Sequence, residues 1–380
     1  MKRAILALSM MILILNLNAF VQANLSQNIF IPSTGSVQYP PLVVRGRQIV
    51  DRSGNPVLLR GFSLWWPNVF QEEWHPLLSP ERFREIKSWG FNTINIIVPW
   101  AQIERDPNQI GVYDESRLQR LDEIIQWAQD AGLYVVISIR VMNLWWDMPT
   151  AINYTFTEEC RTRYGNFLEM IVKRFDHYEN VIGYNGWHFP YHGYGDKWSD
   201  PAWEESYYNY YTPIILEKIR SNSRKIIFYS PIYQGGWGPR SEDTGAFDSL
   251  TPLPDNNVVY CHKLHRPYDV EHESVDWDYN YDYIRNLLQP AFDFQNKYNV
   301  PMACWEFGME IHGAAGERPI RQSRLDCLDY KLQLMDEQGN YSWVYWIYTK
   351  WEPDGCPEAV LEEDGSPTQI IDVLRNHLPS

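Results

Sequence analysis

One pattern constrains this chain more than any other. A short β-branched or aromatic run is followed by a segment of helical period, and the unit recurs eight times. The strand runs are 58–65, 93–100, 134–141, 181–189, 225–232, 258–265, 301–307 and 341–348. The helical segments are 79–89, 115–131, 158–177, 204–221, 281–297, 323–337 and 368–377. Ser79 then Pro80 marks the first helix start, because Pro at the first helical position sacrifices no intrahelical hydrogen bond. The connection 233–257 is rich in Gly and Pro and carries little helical signal. Alternating strands and helices demand crossovers, and crossovers make a parallel sheet covered by helices. Eight units in about 320 residues predict an α/β fold closed into one (β/α)8 TIM barrel. No Gly-x-Gly-x-x-Gly follows the first strand, so a dinucleotide fold has no support. Residues 43–59 hold two β-type runs around Asp51-Arg52-Ser53-Gly54-Asn55. They predict an N-terminal β-hairpin that closes the bottom of the barrel.

The expected organisation is a signal peptide over 1–23, an N-terminal lead over 24–42 and the barrel over 43–380. Lys2 and Arg3 precede an apolar stretch, and Val21-Gln22-Ala23 gives a small-x-Ala cleavage site. The chain is therefore expected outside the cytoplasm, extracellular or periplasmic. No later apolar run is long enough to span a bilayer, so stable membrane insertion is not expected. A net charge of −15 argues against nucleic acid, whose binding needs basic patches. The five Cys match no zinc spacing. Cys261 and Cys304 fall in strand runs and are expected as buried thiols. No cofactor is expected, and a monomer is.

In a barrel of this kind the chemistry lies where strands end. Those ends carry Trp65, Trp66, Trp100, Arg140, Trp146, Trp187, His188, Phe189, His192, His265, Trp305, Trp346 and Trp351, with Asn95 inside the second run. The chain has 17 Trp, and flat aromatics stack on sugar rings through apolar burial and C–H/π contact. The expected ligand is an oligosaccharide, polysaccharide or glycoconjugate. The seventh run ends in Trp305-Glu306-Phe307-Gly308. A carboxylate at a strand tip among aromatics is a candidate glycosidase nucleophile.

Several motifs, in order, resemble glycoside hydrolase family 5, the cellulase and mannanase family of clan A. They are Leu59-Arg60-Gly61-Phe62-Ser63, Gly90-Phe91-Asn92-Thr93-Ile94-Asn95-Ile96, Asn180-Val181-Ile182-Gly183-Tyr184, Trp305-Glu306-Phe307-Gly308 and Tyr345-Trp346. The resemblance implies retaining hydrolysis of O-glycosyl bonds with Glu306 as nucleophile. The departures are at the other functional positions. The family's strand-two Arg is Asn95, and its strand-three His is Arg140. Its strand-four Asn-Glu-Pro, whose Glu is the acid/base, is His188-Phe189-Pro190, so Phe189 stands at the acid/base position. Its strand-six His-x-Tyr falls on Lys263 and His265, or on His262 and Leu264 with one residue gapped. Retaining hydrolysis needs a second carboxyl group about 5–5.5 Å from the first, and Phe donates no proton. Three readings stay open. One is a hydrolase of atypical or weak activity whose proton comes from His188, His192 or Asp196. The second is a catalytically inactive glycan-binding protein. The third is different, metal-assisted chemistry using His188, His192, His262 or His265 with Glu306.

Overall fold

The computed structural model describes residues 39–65, 69–70, 78–141, 153–189, 205–232, 244–265, 281–308, 322–349, 359–362 and 364–379. A two-stranded antiparallel sheet comes first, β1 (Val43–Arg45) and β2 (Gln48–Val50). Eight parallel strands then close a barrel. They are β3 (Arg60–Leu64), β4 (Thr93–Pro99), β5 (Tyr134–Arg140), β6 (Val181–Asn185), β7 (Ile226–Tyr229), β8 (Val258–Leu264), β9 (Met302–Phe307) and β10 (Ser342–Tyr345). Each pairs with its successor, and β10 returns to β3. The chain is the expected (β/α)8 barrel with an N-terminal hairpin.

The strands read as continuous apolar runs because helices cover one face and the barrel interior the other. All seven residues of β4 are buried. Alternation sorts them. Ile94, Ile96, Ile137 and Ile139 join the layer beneath the helices, while Val136, Ile182, Val259 and Ala303 fill the interior. The longer helices are α1 (Pro80–Ser88), α2 (Glu115–Ala131), α3 (Glu158–Phe175), α4 (Thr212–Arg220), α5 (Tyr281–Tyr298), α6 (Gln322–Gln338) and α7 (Ile370–Asn376). Their ends follow local chemistry. The Asp114 carboxylate accepts from the N–H groups of Ser116 and Arg117, satisfying donors the first turn of α2 leaves open. Gly132 ends α2 at φ 80°, a left-handed conformation that suits a residue without Cβ. α1 begins at Pro80 after Ser79, as expected. Between β7 and β8 the described residues hold only a 3-10 turn, Gly245–Asp248, in keeping with the weak helical signal there.

The turn that joins β1 and β2 is one the sequence reading did not name. The reversal is at Gly46 and Arg47, with Gly46 at φ 57°. The stretch 51–55 makes the expected reversal as well: Asp51 N–H donates to the Asn55 carbonyl and Val57 N–H to the Ile49 carbonyl, Val50 pairs antiparallel with Pro56, and the Asp51 carboxylate accepts from the Asn55 backbone and side-chain amides. Leu42 and Ile49 from this segment pack with Leu59 in the interior cluster, so the hairpin plugs the lower end of the barrel. Cys160, Cys261, Cys304 and Cys327 are buried free thiols. Among the described residues no helix is long and apolar enough to cross a membrane.

Candidate active site

The site begins with an irregularity between β8 and β9. His262 pairs with Cys304, but Lys263 pairs with Glu306, so Trp305 is an extra residue in the ladder. Such a bulge turns a side chain that strict alternation would send outward. Trp305 stays in the interior cluster beside Phe228, ring centroids 4.5 Å apart. Glu306 then comes level with Lys263 at the upper, carboxyl-terminal end of the strands, where barrel enzymes do their chemistry. On β8 the two-residue period points Cys261 inward and puts His262 on the opposite face.

Three side chains from the ends of β6 and β8 converge on Glu306. The Lys263 ammonium donates to Glu306 Oε1 at 2.6 Å. His265, just past β8, meets the same oxygen through Nε2 at 2.9 Å. His188, past β6, meets Oε2 through Nε2 at 2.7 Å. The His188 backbone N–H donates to the Ile139 carbonyl at 2.6 Å, which ties this segment to β5. All four side chains are buried. Burial alone raises a carboxyl, but the Lys263 charge and the two imidazole hydrogen bonds reverse that and hold Glu306 well below the ordinary range. Glu306 is therefore an ionised acceptor. Burial pushes His188 down to about 4, against the opposing pull of Glu306. His188 is thus a neutral imidazole at pH 7, and its Nε2–H is the donor to Glu306. Its Nδ1 has no partner among the described residues.

Phe189 follows at φ 45°, a left-handed value that costs a side chain with a Cβ about 1–2 kcal/mol. Its ring is buried in the interior cluster. It packs edge-on to His188 at 4.6 Å, and the Lys263 ammonium lies 4.8 Å from its centroid. The position that the family resemblance assigns to the proton donor is filled by an apolar ring in contact with the cation of the nucleophile.

A second group lies at the ends of β3, β5 and β10. Trp65 meets Trp346 edge-on at 5.3 Å, and the Arg140 guanidinium stands 4.4 Å over the Trp65 ring. Trp346 is only partly buried. Asn95 lies deeper. Its amide donates to Ser63 Oγ at 3.1 Å and its carbonyl accepts from Ser138 Oγ at 2.6 Å, all three fully buried.

The fold does not bring Trp100 and Trp187 to this mouth. Trp100 is fully buried outside the barrel, stacked on Phe167 at 5.9 Å, with Nε1–H donated to Glu104 at 2.5 Å. Trp187 packs among Tyr164, Tyr207 and Tyr211 beneath the helices. Both sit at strand ends in the sequence, but Trp100 continues the outward-facing parity of Ile94, Ile96 and Val98, and Trp187 lies beyond Asn185, the last residue of β6, where alternation no longer sets its direction. His262 is likewise outside the constellation. Its Nδ1 meets the Lys263 carbonyl at 2.9 Å and its Nε2 the Tyr341 hydroxyl at 2.6 Å. Among the described residues no group of three or more His, Cys, Asp or Glu is arranged to hold a metal ion. At Glu306 an ammonium already occupies the place beside Oε1. Trp66, Trp146, His192, Asp196 and Trp351 lie outside the described residues.

Lys263 entered the sequence reading only as a residue at the family's strand-six His position, not as a candidate site residue. Its signal was present in Cys261-His262-Lys263-Leu264-His265, where alternation puts Cys261, Lys263 and His265 on one face.

Comparison with known proteins agrees with this fold. The model of the cellulase family, glycosyl hydrolase family 5, matches residues 50–351. Cellulase/esterase CelE of Acetivibrio thermocellus is 22% identical over 268 residues, 63% of this chain and 32% of CelE. Endoglucanase B of Clostridium cellulovorans is 22% identical over 233 residues, 60% of this chain and 49% of its own. The match thus spans a third to a half of the length of these relatives. Among solved structures, the endocellulase of the archaeon Pyrococcus horikoshii superposes with a TM-score of 0.66 at 18% identity, over 90% of this chain and 100% of its own. An endogalactoceramidase superposes with a TM-score of 0.63 at 16% identity, over 89% of this chain and 84% of its own. With the family model matched from β2 to beyond β10, and the strand-end carboxylate where that architecture puts its chemistry, the chain belongs to glycosyl hydrolase family 5.

Proposed function

We propose that this chain is an exported carbohydrate-active protein that takes a β-linked glycan or glycoconjugate at the upper end of its barrel and cleaves glycosides by a retaining route with Glu306 as nucleophile. The observation that carries this is the state of Glu306, buried yet ionised at the tip of β9 under three hydrogen bonds from Lys263, His188 and His265. An ionised carboxylate held in place is what attack on an anomeric carbon requires. The names of similar proteins, endoglucanases and an endogalactoceramidase, make β-glucans and glycolipids the first substrates to try. The apolar ring at 189 removes the usual carboxylic acid, and losing general-acid help costs ~10²–10⁴-fold in rate. Without another donor in its place, activity is expected to be weak wherever the leaving group needs a proton. His188 does not supply that proton in this reading, since it is neutral and faces the nucleophile.

A second reading, glycan binding without turnover, is favoured by Phe189 itself. Its ring is part of the interior packing rather than a side chain left standing in a vacant cleft.

The test is intact-mass analysis after incubation with 2-fluoro glycosides carrying dinitrophenyl leaving groups. An adduct that maps to Glu306, and is absent from Glu306→Gln, supports the hydrolase. No adduct with glucose, mannose, galactose or xylose donors, together with saturable oligosaccharide binding, supports the binding protein and overturns the nucleophile.

A further inference from the structure

The missing proton donor and the unanticipated lysine meet at one point. Lys263 Nζ is 2.6 Å from the nucleophile's Oε1 and 4.8 Å from the centre of the ring at the acid/base position. It touches both groups between which a scissile glycosidic bond would have to lie. The other described partners of Glu306 are imidazoles whose Nε2 atoms meet its oxygens. The Lys263 side chain is buried, and its ammonium carries three protons, one of which goes to Glu306 Oε1.

Resting on the reading of Glu306 as nucleophile, we propose that Lys263 is the general acid of this site, delivering to the leaving oxygen the proton that position 189 cannot. In the first step Glu306 Oε forms a bond to the anomeric carbon as the bond to the glycosidic oxygen breaks. The electron pair of that bond goes to the oxygen, which takes a proton from the Lys263 ammonium. The products are a glycosyl ester on Glu306, a free alcohol and a neutral amine. In the second step the amine takes a proton from water as the water oxygen attacks the anomeric carbon. Glu306 leaves as a carboxylate and the ammonium is restored. No oxidant, reductant or metal enters.

The two groups are coupled in the useful direction. While Glu306 is charged it holds the ammonium protonated. As attack consumes that charge, a buried ammonium loses its counter-ion and gives up its proton more readily. Acidity rises where the leaving oxygen needs it, and the amine that results is a base while the ester waits for water.

The test compares leaving groups in the full-length protein. In Lys263→Met, turnover of an unactivated oligosaccharide should fall by ~100-fold or more, and that of a dinitrophenyl glycoside by less than ~10-fold. Lys263→Arg keeps the charge but holds its protons at any working pH, so it should follow the Met variant. It also serves where Met fails to fold, which the thermal midpoint reports. In Lys263→Ala, added ethylammonium should restore the oligosaccharide rate and leave the dinitrophenyl rate unmoved. A residue that merely positions Glu306 would lower both rates together. Equal losses on the two substrates, full activity in the Arg variant, or a wild type that is trapped by the fluoroglycoside yet cleaves no unactivated glycoside would each overturn the assignment. Failure of the nucleophile reading has a different signature, no adduct on the wild type at all, and removes this proposal with it.

Discussion

At the lower end of the barrel Arg60 opens β3, buried, with its guanidinium 3.2 Å from Asp336 and 4.9 Å over the Trp343 ring. At the upper end Glu306 closes β9, buried, with Lys263, His265 and His188 around it. Both ends hold a buried charge, but what surrounds it differs. The carboxylates below, Asp336 and Asp329, are 37% and 47% exposed, so water shares them with Arg60 and His377. The lower cluster joins β3, β10, α6 and the end of α7 and satisfies its charges by reaching solvent. The upper carboxylate is nearly water-free, and its surroundings include a strained Phe189 and a His188 Nδ1 that has no hydrogen-bond partner among the described residues. Charge paired with water at hand is a structural clamp. Charge stripped of water, with a polar atom left over, is a place prepared for something else.

The two ends should therefore answer pH with opposite sign, and this is the largest effect expected. His188 is depressed to about 4 in the folded chain from an ordinary 6.5. The unfolded chain takes up that proton first, so the contribution is full above the ordinary value and is lost as pH falls toward 4. About 3 kcal/mol is at stake, and urea titrations between pH 7 and 4 should show it. Replacing His188 by Gln should flatten that limb; an unchanged limb would mean that His188 is not held neutral.

Cutting the lower clamp should change stability and leave the upper chemistry alone. Arg60→Ala removes a charged hydrogen bond and the cover over Trp343, for an expected loss of about 2–3 kcal/mol in urea unfolding. Labelling of Glu306 by the fluoroglycoside should stay the same; if it falls as well, the two ends are not independent. Trp100→Phe sharpens the division between core and site tryptophans. The loss of its N–H to buried Glu104 should cost about 1–2 kcal/mol, with oligosaccharide affinity unaltered in titration calorimetry. Reduced affinity at full stability would return Trp100 to the mouth.

The smallest effect belongs to His377. Burial would lower it, but hydrogen bonds to Asp336 and Asp329 raise it overall. Its contribution is full below the ordinary histidine value and is lost as pH rises through the raised one. With both carboxylates well exposed, under ~1 kcal/mol is expected. Comparing the thermal midpoint of His377→Gln with wild type at pH 6 and pH 9 measures it, and a difference that grows with pH would reverse the sign.

Residue order by itself determined the architecture. Eight strand-helix alternations admit only crossovers. Thr157, Asp114 and Gly132 fix where helices begin and end through contacts within a few residues. Glu306 was legible for the same reason, as a carboxylate ending an apolar run before Gly308. Local rules found the reversal at 51–55 and missed the one at Gly46; both Gly46 and Gly54 are left-handed, and both turns form. The composition of the site was decided by tertiary structure alone. Whether a strand-end tryptophan faces a ligand or the helices depends on parity, which put Trp65 at the mouth and Trp100 in the core. The pairing of Lys263 with Glu306 depends on a one-residue bulge that no periodicity announces. Parity and bulges belong to the ladder between strands, and residues more than forty positions apart acquire that relation only when the barrel closes.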